Sequence, residues 1–265
     1  MLNPNKKSAM LVSLKDYRKK FLVNKPQELD ESGTRLMINH FLSDILGYQS
    51  LEEIKTEYMI RGTYADYVVQ TKGTRHFLVE VKALSLNLSD KHLRQAINYG
   101  ANEGIEWALL TNGRVFELYK IIFDKPIDYK KVLEIDLMNG ERLKESLEQL
   151  EFLHKDAVNR KSLEELWNRF SALDPYTLSG LLYSESIVGF IKKELKKKYN
   201  CKFEDDDLRE GLNALLSAQI DLTKIKVVKI KAKKKIPSDK HTKEAKQSLI
   251  QSTQSVHVQP NELGV

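Results

Sequence analysis

Three charged side chains stand out for what they could do together. Asp66 lies in an apolar run, Tyr64-Ala-Asp-Tyr-Val-Val-Gln70. Glu80 and Lys82 lie in a second run, His76-Phe-Leu-Val-Glu-Val-Lys82, joined to the first through a turn at Lys72-Gly73-Thr74. Residues two apart on a strand project to one face, so Glu80 and Lys82 point together while Val79 and Val81 turn into the core. A hairpin brings Asp66 beside them. Two carboxylates and one ammonium on a sheet edge suit a Mg²⁺ site for cutting a phosphodiester. Mg²⁺ prefers hard oxygen ligands, and Asp66 and Glu80 supply two, with the Val81 carbonyl as a further candidate. A metal there would polarise the scissile phosphate and bring a water toward hydroxide. Lys82 would orient that water or stabilise negative charge in the transition state. Burial and the two acids push its pKa in opposite directions, so its protonation state is not legible here. An acid and a lysine two apart also occur as weak surface ion pairs. Asp66 fits that bland reading poorly, because an acid among Tyr64, Tyr67, Val68 and Val69 disfavours the strand it sits in.

The elements that must position these residues follow from periodicity. Asp30 to Leu46 reads as a helix with Leu36, Ile38, Phe41, Leu42, Ile45 and Leu46 at helical spacing, stopped by Gly47. Residues 54–60, 64–70 and 75–82 read as strands, 89–103 as a helix, 105–111 as a strand, and Asn112-Gly113 as a turn into a strand over 114–120. The order αβββαβ is that of an α/β or α+β domain with a mixed central sheet. Before it, residues 1–27 read as a loose lead-in, so the core spans 28–125. After Pro126, helices over 139–155, 161–171, 176–198 and 205–219 make 126–221 a mainly helical extension. Residues 222–265 form a Lys-rich tail, polar and aperiodic from Pro237 onward and expected to be disordered.

Bulk properties narrow the classes. The chain has 265 residues, a net charge of +6 and one cysteine, Cys201, which rules out an internal disulfide and a cysteine-based zinc site. No apolar stretch approaches the roughly 20 residues of a membrane span, and the N-terminus has no signal-peptide core, so a cytoplasmic location without membrane partners is expected. Residues 222–246 carry ten lysines against Asp239 and Glu244, a charge of +8 that leaves the remainder at −2. Lys229, Lys231, Lys233, Lys234 and Lys235 are therefore candidates for gripping DNA phosphates, against the alternatives of a solubilising tail or a lysine-protected edge. His40, His76, His92 and His154 show no His-x-x-x-His spacing and read as surface or packing residues. Trp107 and Phe116 read as core around the Asn112-Gly113 turn.

Taken in order, Glu31 with Thr34-Arg35, Glu57-Tyr58, Ala65-Asp66-Tyr67-Val68, Val79-Glu80-Val81-Lys82-Ala83, Gln95-Ala-Ile-Asn-Tyr99 and Thr111-Asn-Gly113 resemble the PD-(D/E)xK nuclease domain at the N-terminus of type I restriction endonuclease R subunits. The resemblance implies a restriction-endonuclease-like core. It also implies Asp66 and Glu80 as metal ligands, Lys82 as the catalytic lysine, Glu31 as an acid completing the site through water, and Gln95 and Tyr99 as the Gln-x-x-x-Tyr motif. Residues four apart share a helix face, so Gln95 and Tyr99 are expected to reach one groove and touch DNA backbone or support the metal shell. On the residues alone, a half-buried tyrosine packed on the sheet is the simpler account of that pair. Ala65 stands where the superfamily has its proline, which supplies no ligand. Nothing matches Gly-x-x-x-x-Gly-Lys-Ser/Thr, so no ATP site and no motor are expected.

The function expected is a Mg²⁺-dependent DNA endonuclease of a restriction or related defence system, with Mn²⁺ as a substitute metal and DNA as partner. Dimerisation or restriction-system partner subunits are compatible with it. The alternative is a non-catalytic nucleic-acid-binding or assembly protein that keeps the nuclease fold.

Overall fold

The computed structural model describes residues 2–23, 29–60, 63–217, 220–221 and 224–226, and of 57–60 and 63–64 the backbone alone. The chain divides into two compact units, residues 1–177 and 178–265.

The first unit is built on a six-stranded mixed sheet in the order β1-β2-β3-β4-β5-β6, with β1 Ile54–Ile60, β2 Thr63–Thr71, β3 Thr74–Val81, β4 Trp107–Thr111, β5 Val115–Ile122 and β6 Asp128–Asp136. Neighbours are antiparallel except β3 and β4, which pair in parallel with Leu78 opposite Ala108. A parallel pair needs a crossover, and α3, Asp90–Glu103, supplies it. Asp66 and Glu80 thus lie toward one end of two interior strands. The expectation of a sheet-edge site is corrected: the row β1, β4, β5 and β6 flanks them on both sides.

Alternation along the strands sorts the core into two faces. Phe77, Val79 and Val81 join a large cluster with Met37 and Ile38 of α2 (Glu31–His40), Phe41, Leu42 and Ile45 of the π-helical turn that follows, and Leu147 and Leu150 of α4 (Leu143–Leu150). Leu78 joins the other cluster, where Leu93, Ala96 and Tyr99 of α3 pack on Val68, Leu110 and Ile121. α3 sits close to this face because Gly100 has no side chain. A Cβ there would lie 2.5 Å from Ile121 Cδ1 and 2.8 Å from the Ile105 carbonyl oxygen. Gly100→Ala is therefore expected to cost about 1–3 kcal/mol by overpacking, measurable by urea denaturation. An unchanged midpoint would show that α3 can lift without penalty.

Two readings of the flanks are corrected. Residues 1–27 are not a loose lead-in: α1 spans Pro4–Tyr17 and continues as a π-helical turn, Arg18–Val23. Asn3 caps α1, its side chain accepting from the Lys6 N–H at 2.9 Å, and Pro4 stands at the first turn. Met10, Leu14 and Tyr17 are buried in the large cluster, and the Tyr17 hydroxyl donates to the Gly113 carbonyl at 2.8 Å. Nor does the sheet core end at 125, because β6 extends it to Asp136. The mainly helical part comprises α4, α5 (Lys155–Val158), α6 (Ser162–Ala172), α7 (Pro175–Leu182), α8 (Glu185–Tyr199) and α9 (Asp205–Leu216). The single helix expected over 176–198 is two. Ser184 between them is extended, at the N-cap of the second, and its hydroxyl donates to the Leu181 carbonyl at 2.6 Å, closing the end of the first.

In the second unit α8 ends at Asn200 in the left-handed region, and α9 opens with a reciprocal capping box between Glu204 and Asp207. Lys192 bonds Asp205 at 2.8 Å, and the Tyr183 hydroxyl donates to Asn213. No helix among the described residues is long and apolar enough to cross a membrane.

Candidate active site

β2 and β3 bring the two acids together. Tyr67 pairs with Val79, so the next step along the ladder sets Asp66 beside Glu80. Asp66 is fixed from both sides: its Oδ2 accepts the Val81 N–H at 2.7 Å, and its Oδ1 contacts Arg35 at 2.6 Å. Val81 therefore serves Asp66 through its N–H, and its side chain is buried, as the strand alternation requires. Arg35 also bonds Glu31 Oε1 at 2.8 Å, one helical turn back on α2. Lys82 closes the constellation, its ammonium 2.7 Å from Glu80 Oε1 and 3.5 Å from Glu31 Oε2. The charges run Asp66, Arg35, Glu31, Lys82, Glu80, alternating in sign.

The backbone under these side chains is pinned. The Lys82 N–H donates to the Thr111 carbonyl at 2.8 Å, which ties the end of β3 to β4. The Thr34 hydroxyl donates to the Asp30 carbonyl at 2.8 Å and accepts the Leu84 N–H at 3.0 Å. Asn112 holds the next layer, its Nδ2 donating to the Leu86 carbonyl at 2.8 Å and its Oδ1 accepting from Val115 N–H at 2.8 Å. Gly113, at φ +80°, lets the turn close on α2, where a Cβ would lie 2.8 Å from Met37 Cε. Thr34 and Thr111-Asn-Gly113 are thus braces for the loop after Lys82.

Burial sets the protonation states. Glu80 is 1% exposed, and burial pushes its carboxyl up to about 7, with the Asp66 charge acting in the same sense and Lys82 against it. Burial also raises Asp66, opposed by the Val81 N–H and by Arg35. For Lys82, burial is the largest single influence and lowers the pKa. Glu80, Glu31 and Asp66 together outweigh it, so the net direction is up and the side chain is a cation at neutral pH. Glu80 Oε2 is buried with no hydrogen-bond partner among the described residues.

The raised Glu80 pKa has a stability consequence with a definite sign. Below about 4.5 the group is protonated in both folded and unfolded chains and has no effect. As pH rises through about 7, the unfolded chain releases its proton before the folded one, so stability falls. Glu80→Gln is expected to be more stable than the native protein at pH 8, by roughly 1–3 kcal/mol, with the difference gone at pH 4. Thermal melts at both pH values read this. A variant that melts lower at pH 8 would mean the buried carboxylate is not strained.

Gln95 and Tyr99 are not brought to one groove. Gln95 is exposed, whereas Tyr99 is 0% exposed, packed in the α3 cluster with Leu78 and Leu110. The expectation that Tyr99 touches DNA backbone is corrected: the boundary between buried and exposed faces of α3 falls between these two residues. Lys229, Lys231, Lys233, Lys234 and Lys235 lie outside the described residues, as do the side chains of Glu57 and Tyr58. His76 and His154 serve as packing groups, His76 Nε2 lying 2.6 Å from the Thr71 hydroxyl and His154 capping α5. Arg35 belongs to the first-helix motif, and the structure brings it to Asp66. Its spacing of four from Glu31 is the signal that marks it.

Among the described residues, no three or more His, Cys, Asp or Glu side chains gather as a ready metal cage. Mg²⁺ does not require one, since it commonly takes one or two carboxylates and fills the rest with water and phosphate oxygens. Asp66 and Glu80 fit that set. Glu80 Oε2 is a buried oxygen with no partner among the described residues, and Asp66 Oδ1 is held by Arg35.

Residues 30–135 match the family model of the type I restriction enzyme R protein N terminus. The resemblance carried by Glu31 through Thr111-Asn-Gly113 is thereby shown for that segment, and all of Glu31, Asp66, Glu80, Lys82, Gln95 and Tyr99 fall inside it. The match supports a restriction-system, nuclease-type role for that segment. No curated protein matches the chain. A solved structure titled "cryoEM structure DrdV-DNA complex" is similar at 15% identity and a TM-score of 0.35, covering 54% of this chain and 94% of that one.

Proposed function

We propose that residues 30–135 form a Mg²⁺-dependent DNA nuclease of a restriction system, with Asp66 and Glu80 as metal ligands and Lys82 as the catalytic lysine. The observation that carries this reading is the Glu80 carboxylate, buried and strained upward in pKa, with one oxygen unpaired next to a lysine. A buried carboxylate oxygen without a partner is costly, and function is the common reason such groups persist. Bound Mg²⁺ would polarise the scissile phosphate and acidify a water. Lys82 then acts as a fixed positive charge against the negative charge that builds on the phosphoryl oxygens. Its net-raised pKa argues against a neutral-base role. Glu31 would orient Lys82, and Gln95, exposed on α3, would contact the DNA backbone. Lys229, Lys231, Lys233, Lys234 and Lys235 would add salt-sensitive grip. Manganese would substitute for magnesium.

The test is incubation of the intact chain with supercoiled, linear and single-stranded DNA in Mg²⁺, Mn²⁺ or chelator. Metal-dependent cleavage lost in Glu80→Ala supports the reading. The capture of Asp66 by Arg35 favours one second reading, a binding or assembly module that has kept the fold. Salt-sensitive DNA binding without cleavage under either metal would select it.

A further inference from the structure

A cation already holds the carboxylate that the proposed metal needs. Asp66 Oδ2 is committed to the Val81 N–H at 2.7 Å, which leaves Oδ1 as the oxygen for a metal, and Oδ1 is the atom 2.6 Å from Arg35. On the other acid, Lys82 takes Glu80 Oε1 and leaves Oε2. The pair of oxygens remaining for a divalent ion is Asp66 Oδ1 with Glu80 Oε2, and the first is shared with a guanidinium. Two cations on one carboxylate oxygen at that distance repel strongly in a half-buried site.

Resting on the metal reading above, we propose that Arg35 is a placeholder for the metal: in the metal-free protein it holds Asp66 in its ligand position, and metal binding must turn it off Asp66 toward Glu31. The backbone of α2 cannot retreat to make room. The Tyr67 hydroxyl, itself on β2, donates to the Arg35 carbonyl at 2.8 Å, and Thr34 beside it is fully buried and bonded to Leu84 N–H. The side chain is the part that can move. It is 32% exposed, and it already bonds Glu31 Oε1, whose side chain is 39% exposed. Arg35 can therefore leave Asp66 while keeping its bond to Glu31. The planar fork of arginine suits bridging two carboxylates, which a lysine point charge does less well. The device offsets the buried Asp66 charge before the metal arrives, and makes metal loading a competition rather than a simple docking.

Calorimetric titration of Mn²⁺ into the intact chain tests this without any cleavage readout. Arg35→Gln is expected to bind Mn²⁺ about tenfold more tightly than the native protein, and Arg35→Lys to fall between them. Glu80→Gln sets the level for a lost site. If the native protein binds Mn²⁺ and Glu80→Gln does not, yet Arg35→Gln binds no tighter, Arg35 is not a competitor while the metal site stands. If the native protein and Arg35→Gln are both indistinguishable from Glu80→Gln, the metal reading fails and takes this inference with it. Should Arg35→Gln not fold, Arg35→Lys alone decides, because a weaker hold on Asp66 still predicts tighter binding than native.

Discussion

Replacing Lys82 with methionine is expected to slow Mg²⁺-dependent DNA cleavage by about 10²–10³-fold while the protein stays folded, the loss typical of removing one preorganised charge from a developing oxyanion. Methionine keeps much of the apolar stem and removes only the ammonium. The loss has two sources that pH separates. One is the missing charge in the transition state. The other acts through Glu80, whose nearest cation is Lys82 at 2.7 Å. Without it, a carboxyl already raised to about 7 by burial moves further up, and at neutral pH a larger share is protonated and unable to ligate. The deficit of Lys82→Met should therefore be larger at pH 7 than at pH 9, where Glu80 is ionised again and only the charge term remains. Cleavage rates of native and variant protein at both pH values read this, with Glu80→Ala as the inactive control. A variant within a few-fold of native at both would remove Lys82 from the chemistry.

The residues of this constellation were legible because strand alternation is a strict rule: Glu80 and Lys82 share a face wherever that segment is a strand. What alternation cannot show is a partner from another element. Arg35 lies on α2 and reaches Asp66 around the sheet end, and only its spacing from Glu31 hints that it carries charge toward the site. Helical spacing misled at Gln95 and Tyr99 for a related reason. Four residues advance a helix by about 40° beyond a full turn, enough for the water boundary to pass between them. α1 escaped notice because Met10, Leu14 and Tyr17 form a narrow stripe among lysines and serines, although Asn3-Pro4 is a helix-start signature. β6 escaped because only one of its residues, Ile135, is deeply buried. A charged strand with Lys130 and Lys131 is what a protected sheet edge looks like, and its polarity resembles a loop.

Phe41→Ala is expected to destabilise the first unit by about 3–5 kcal/mol, the cost of a large cavity at a fully buried aromatic. Phe41 has no exposed surface, stacks on Phe116 of β5 with ring centroids 4.2 Å apart, and meets Tyr17 of α1 edge-on at 5.4 Å. One ring therefore joins α1, the π-helical turn after α2, and the sheet. For a unit of this size the loss corresponds to a melting temperature lower by roughly 10 °C. Phe190→Ala on α8, where the ring is 62% exposed, should change stability by no more than about 0.5 kcal/mol and serves as the contrast. The same experiment bears on the N-terminal segment. If residues 1–23 were a loose lead-in, Tyr17→Ala would leave the melt unchanged. With Tyr17 bonded to the Gly113 carbonyl, it should instead lose both packing and a buried hydrogen bond. The Gly113 turn carries Asn112, and Asn112 holds the Leu86 loop that follows Lys82. Damage at Phe41 or Tyr17 should therefore lower cleavage as well as stability, even though neither ring touches the charged side chains, because the turn that braces the strand carrying Glu80 rests on α1.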